Sequence, residues 1–115
     1  MEPLDAQALS VQVDVRDEQQ IENMAAKTRE RFGRIDPLFN NAGALFWNSL
    51  PETPAKRFDL VMAVNARAAF LYCRAVLLAI IEQRGGHIIN MSPPLDFSMI
   101  PGCIAYAISK LSMTF

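Results

Sequence analysis

Between Thr53 and Gln83 the chain contains no glycine and a single proline, Pro54, at the one helical position that tolerates it. Thr53 reads as an N-cap, Pro54 as the first helical residue, and Arg84, Gly85 and Gly86 as the stop. The spacing predicts one long helix. On either side lie short apolar runs, Leu38–Asn40 after Pro37 and HIINMS from His87 to Ser92, the latter ended by Pro93 and Pro94, which have no donor for a sheet ladder. Strand, long helix, strand is the connection that joins parallel strands, so the run commits the chain to an α/β fold. A bilayer is a poor alternative for the same helix. Asp59, Asn65, Arg67 and Arg74 interrupt its apolar part, and each central charge costs about 2.5–3.5 kcal/mol there.

The flanking segments keep the same rhythm. In Ala8–Val15, Val11, Val13 and Val15 alternate with Gln12 and Asp14, which predicts a short strand. From Asp17 to Phe32, Ile21, Met24, Ala25, Thr28 and Phe32 recur at spacings of three and four, with Gly33 as a stop, which predicts an amphipathic helix. After Pro93 and Pro94 a loop leads to a further helix opening near Ala105. No repeat, linker or low-complexity segment divides the 115 residues, so residues 1–115 are expected to form a single domain, a three-layer arrangement around a parallel sheet.

Composition narrows the functions. With 51% hydrophobic residues, 20% charged residues and a net charge of −1, there is enough apolar material for a core and no electrostatic footprint for nucleic acid or an anionic membrane. Cys73 and Cys103 lack CxxC spacing and read as buried thiols, and one histidine, His87, cannot build a metal site with them. The start, MEPLDAQALS, has neither a basic region nor an apolar core, so a cytoplasmic protein is expected.

Chemistry concentrates in AYAISK. Tyr106 and Lys110 stand four apart, on one face of the predicted helix, where an ammonium eases proton loss from a phenol. Four features in order, NNAG (Asn40, Asn41, Ala42, Gly43) after a strand, Asn65 within the long helix, HIINMS, and YxxxK opening the next helix, resemble the short-chain dehydrogenase/reductase family over almost the whole chain. NMSPPL is most similar to its hydroxysteroid-dehydrogenase-like branch. The resemblance implies a Rossmann-type sheet and hydride transfer between NAD or NADP and a small alcohol or carbonyl substrate. It implies that Tyr106 is the general acid or base, that Lys110 assists it and holds the nicotinamide ribose, and that Asn65 anchors a water in the proton relay. It further implies that Asp14 meets the adenine and that Asn41, Ala42 and Gly43 form the cofactor-side turn. Phe46 and Trp47 follow that turn, and core packing is favoured over a substrate-facing role for both.

Two departures accompany the resemblance. The family's substrate-polarising serine lies thirteen residues before the tyrosine, and here that position is Pro93, one place after Ser92. Ser92 is carried as a candidate although strand alternation turns it to the opposite face, with Ser98 as a further one. Nor does any glycine-rich strand-turn-helix precede Asp14 to cradle a pyrophosphate. In the family's 3-2-1-4-5-6 order the chain corresponds to strands 3, 4 and 5, an incomplete, truncated Rossmann-type domain whose first strand has no neighbour of its own. Two expectations follow. The chain alone has little or no activity, and its uncovered apolar surfaces favour a homo-oligomer, alternatively a non-catalytic binding module.

Overall fold

The computed structural model describes residues 6–93 and 102–114. Asp17 opens the first helix, α1 (Glu18–Phe32), by accepting a hydrogen bond from the Gln20 amide, and Gly33 closes it in the left-handed conformation at φ 79°. Two strands follow, β1 (Pro37–Asn40) and β2 (His87–Asn90), paired parallel with Pro37 opposite His87 and Asn40 opposite Asn90. Between them the chain forms α2 (Ala55–Met62), a π turn (Ala63–Arg67) and α3 (Ala68–Glu82). After β2 comes α4 (Ile104–Ser112). Ser98 and Pro94 lie outside the described residues.

The core follows from which faces meet. Ala25 of α1, Ile35 and Val76 of α3 form a buried cluster, with Leu38 of β1 packed against it. Glu18 and Arg74 form an ion pair that ties the start of α1 to α3. The opposite sheet face carries the cross-strand neighbours Phe39 and Ile89, which are 54% and 42% exposed. Among the described residues the sheet is therefore covered by helices on one face only, two layers of the expected three. α4 packs on α2 and the π turn rather than on α1.

Four local expectations need correction. Ala8–Val15 forms no strand. Its alternation survives as burial, with Val11, Val13 and Val15 half-buried and Gln12 and Asp14 exposed, but no strand stands beside it to complete a ladder. Thr53 is not the N-cap of the long helix, because its hydroxyl donates to the Ser49 carbonyl in a preceding 3₁₀ turn, Leu50–Glu52, and Pro54 takes the cap position. The long helix is not uniformly α, since five residues around Asn65 widen to π geometry. Trp47 is not core: it is 65% exposed, with Phe46 half-buried beneath the Arg57 guanidinium at 5.5 Å from the ring centroid.

The long helix holds β1 at both ends through two carboxamides. Gln83 accepts from the Ile35 amide at 3.0 Å and donates to the Ile35 carbonyl at 2.8 Å. Asn65 does the same to Ala44, accepting at 2.6 Å and donating at 3.0 Å. The lengths agree. Eighteen helical residues rise about 27 Å, and nine extended ones span about 30 Å.

Ala55–Glu82 is long and apolar enough to cross a membrane by length and composition. A third of that apolar stretch is buried inside the chain, with Val76 in the core cluster and Asn65 bonded to Ser109 of α4.

The turn into β2 yields a test. A Cβ on Gly86 would lie 2.8 Å from the Asp36 carbonyl and 2.9 Å from Ile80, whereas one on Gly85 meets nothing within 4 Å. Gly86→Ala is expected to lower stability in urea denaturation by about 1–3 kcal/mol, the cost of overpacking, with Gly85→Ala within about 0.5 kcal/mol of the parent.

Candidate active site

The site gathers where three segments meet: the turn after β1, the π turn of the long helix, and the first turns of α4. Asn65 is 1% exposed, and its side chain makes three hydrogen bonds, two to the Ala44 backbone and one donated to Ser109 Oγ at 2.8 Å. Both amide protons are thereby used. The side chain is a structural bridge as well as a relay candidate. Ser109, 0% exposed, donates its hydroxyl hydrogen bond to the Tyr106 carbonyl at 2.8 Å. The sequence reading missed Ser109, a small residue inside YxxxK whose only advance signal was its place beside Lys110.

Tyr106 and Lys110 lie on one face of α4, as their spacing requires, with Nζ 6.0 Å from the centroid of the tyrosine ring. The tyrosine is half-buried, and its hydroxyl makes no hydrogen bond among the described residues. Lys110 is 5% exposed and donates to the Met91 carbonyl at 2.9 Å. Burial pushes its ammonium below the ordinary lysine value, because the charged form loses hydration.

The turn before Ala44 faces this pair. A Cβ on Gly43 would stand 3.6 Å from Asn65 Oδ1 and 3.8 Å from Lys110 Nζ, ordinary contact distances, so the turn packs closely against the amide and the ammonium. Asn41 and Ala42 are exposed next to it. With one of its three protons on Met91, the Lys110 ammonium keeps two further donors. The donor chemistry present, unused N–H groups beside a phenol, is compatible with the hydroxyls of a nucleotide ribose.

Ser92 does not join Tyr106. Its hydroxyl reaches the other end of α4, donating to the Lys110 carbonyl at 3.2 Å and meeting Thr114 Oγ1 at 3.3 Å. Asp14 is engaged locally: Arg16 donates to both carboxylate oxygens, at 2.9 and 2.6 Å, and its backbone amide adds a third bond. These hydrogen bonds, then the Arg16 charge, hold the Asp14 carboxyl at about 2. Cys103 is buried and Cys73 half-buried, both as thiols, and no group of residues that could hold a metal occurs among the described residues.

Comparison with known proteins bears on the family and the fold. The short chain dehydrogenase family profile matches residues 1–114. The chain belongs to that family. It is 43% identical to the rat (Rattus norvegicus) protein "Hydroxysteroid dehydrogenase-like protein 2" over 99% of its own length and 22% of the relative's. Levodione reductase superposes with a TM-score of 0.89 at 37% identity, covering 95% of this chain and 43% of that one. A metagenomic short-chain oxidoreductase solved in complex with NADP gives a TM-score of 0.81 at 31% identity, covering 88% and 46%. The chain thus spans less than half the length of these relatives. Its fold is the central part of the family's Rossmann-type domain, as NNAG, Asn65 and YxxxK implied.

Two tests follow from the geometry. Asn65→Leu keeps the volume but leaves the buried Ala44 groups and Ser109 Oγ without their partner, and is expected to cost at least about 2 kcal/mol in denaturant titration. For Asp14, NMR titration should give a midpoint near 2, moving toward 3.8 in Arg16→Ala. The sign is that of a depressed carboxyl: its stabilisation is present above the ordinary value and is lost as pH falls through about 2.

Proposed function

We propose that these residues carry the proton-transfer portion of a nicotinamide-dependent oxidoreductase acting on a small alcohol or carbonyl. The observation that supports it most is the Lys110 ammonium, buried beside the Tyr106 ring and against the Gly43 turn, with only one of its protons used by Met91. Tyr106 gives its hydroxyl proton to a carbonyl oxygen during reduction and takes it back from an alcohol during oxidation. Lys110 places positive charge where the phenolic oxygen would carry negative charge, and its remaining N–H groups hold ribose hydroxyls. A bound NAD or NADP supplies or accepts the hydride. Asn65 fixes the Ala44 turn against α4, which sets the distance between the cofactor side and the proton donor.

By themselves the 115 residues are proposed to have weak activity or none. Among Gly33, Gly43, Gly85, Gly86 and Gly102 there is no phosphate-binding motif, so the pyrophosphate lacks backbone donors at a helix N-terminus. Asp14, the residue for the adenine, is already occupied by Arg16. Calorimetry with NADH and NADPH should give little heat at micromolar chain. Tight binding abolished by Lys110→Met would overturn the inactivity. Any turnover, followed by nicotinamide absorbance with a panel of ketones, should fall about 10²–10⁴-fold in Tyr106→Phe, and activity that survives the substitution sinks the tyrosine assignment.

A second reading, a non-catalytic oligomeric module, is favoured by the free face of α3. Phe70, Leu77, Leu78 and Ile81 follow at helical spacing and are 61%, 46%, 72% and 61% exposed. Sedimentation velocity is expected to give dimers or larger species, shifted toward monomer by Leu78→Asp. A folded monomer at micromolar concentration would count against it.

A further inference from the structure

We propose that Ser109 is a positioning residue: its buried hydroxyl couples the turn at Gly43 and Ala44 to the Tyr106–Lys110 turn of α4 through Asn65. The inference deepens the oxidoreductase reading and rests on it for its functional meaning, though its geometry stands independently.

The bonds form one directed chain. The Ala44 amide donates to Asn65 Oδ1 at 2.6 Å, Asn65 Nδ2 donates to Ser109 Oγ at 2.8 Å, and Ser109 Oγ donates to the Tyr106 carbonyl at 2.8 Å. No link can reverse. An amide nitrogen only donates and a carbonyl only accepts, so the hydroxyl proton must point at Tyr106. Each bond polarises the next, and the whole chain is shielded from water, with Asn65 at 1% and Ser109 at 0% exposure.

An ordinary helical serine bonds the carbonyl one turn back and does nothing else. Ser109 differs by also accepting from Asn65, a residue 44 positions away that in turn grips the turn beside the cofactor-side glycine. The result is that the peptide of the proton donor and the turn facing Lys110 cannot shift separately. Lys110, the next residue, inherits its depth from the same contact, and its ammonium stands beside Gly43 only while α4 keeps this docking.

NMR of the intact chain tests this without any assay of turnover. In Ser109→Ala the Asn65 side-chain amide loses its acceptor and should exchange about tenfold faster, the Ala44 amide resonance should move, and the Lys110 titration midpoint should rise toward 10.5 as the ammonium becomes hydrated. Ser109→Thr, which keeps the oxygen, should restore all three. If Ser109→Ala does not fold, Ser109→Cys keeps the volume with a weak partner and should show the same changes. A folded Ala or Cys variant with unaltered Asn65, Ala44 and Lys110 signals overturns the coupling, as does failure of Thr to restore them when the fold is kept. Absence of NAD(P)H binding in the parent chain removes the oxidoreductase reading alone, since no arm of this test uses the nucleotide.

Discussion

The Asn65 carboxamide is the contact on which the rest of the site depends. It sits in the only stretch of the long helix that departs from α geometry among the described residues, and from there it binds the Ala44 backbone in both directions. A buried amide with three bonds is stabilising only while all partners are present, because each orphaned group in a low-dielectric interior costs about 1–3 kcal/mol. The bridge therefore behaves as a unit. Together with Gln83 at the far end it aligns the helix with β1, and the sheet register then delivers Met91 to Lys110.

That delivery explains how a lysine is kept where water is scarce. Burial disfavours the ammonium, and the single carbonyl of Met91 offsets only part of its lost hydration. A group held in this state is predisposed to gather further acceptors, which ribose hydroxyls or a developing phenolate would supply. The electrostatic tension at Lys110 and the close approach of the Gly43 turn are thus two aspects of one arrangement.

Much of this was legible in the chain itself. The helix periodicity of α1, the apolar runs of β1 and β2, and the order of NNAG, Asn65 and YxxxK depend on local spacing, which a sequence displays directly. The segment with Val11, Val13 and Val15 shows where such reading stops: side-chain alternation fixes which residues face inward, but a strand also needs a neighbour to bond, and no residue in the segment encodes that. Ser109 was illegible for a related reason. A serine in a helix is unremarkable until a residue 44 positions away is found against it. Trp47 misled through bulk, since its size suggested the core while its loop lies at the surface.

The serine question also has a physical resolution among the described residues. Consecutive residues at the end of β2 hold Lys110 from both sides, Met91 at the ammonium and Ser92 at the main-chain carbonyl. Turning the Ser92 hydroxyl toward Tyr106 would remove one of the donors that the Lys110 carbonyl has in the last turn of α4. The hydroxyl one place before Pro93 is therefore spent on seating the helix that carries the tyrosine and lysine. Among the residues already placed in the site, Tyr106 is the one whose hydroxyl has no competing hydrogen bond with the described residues.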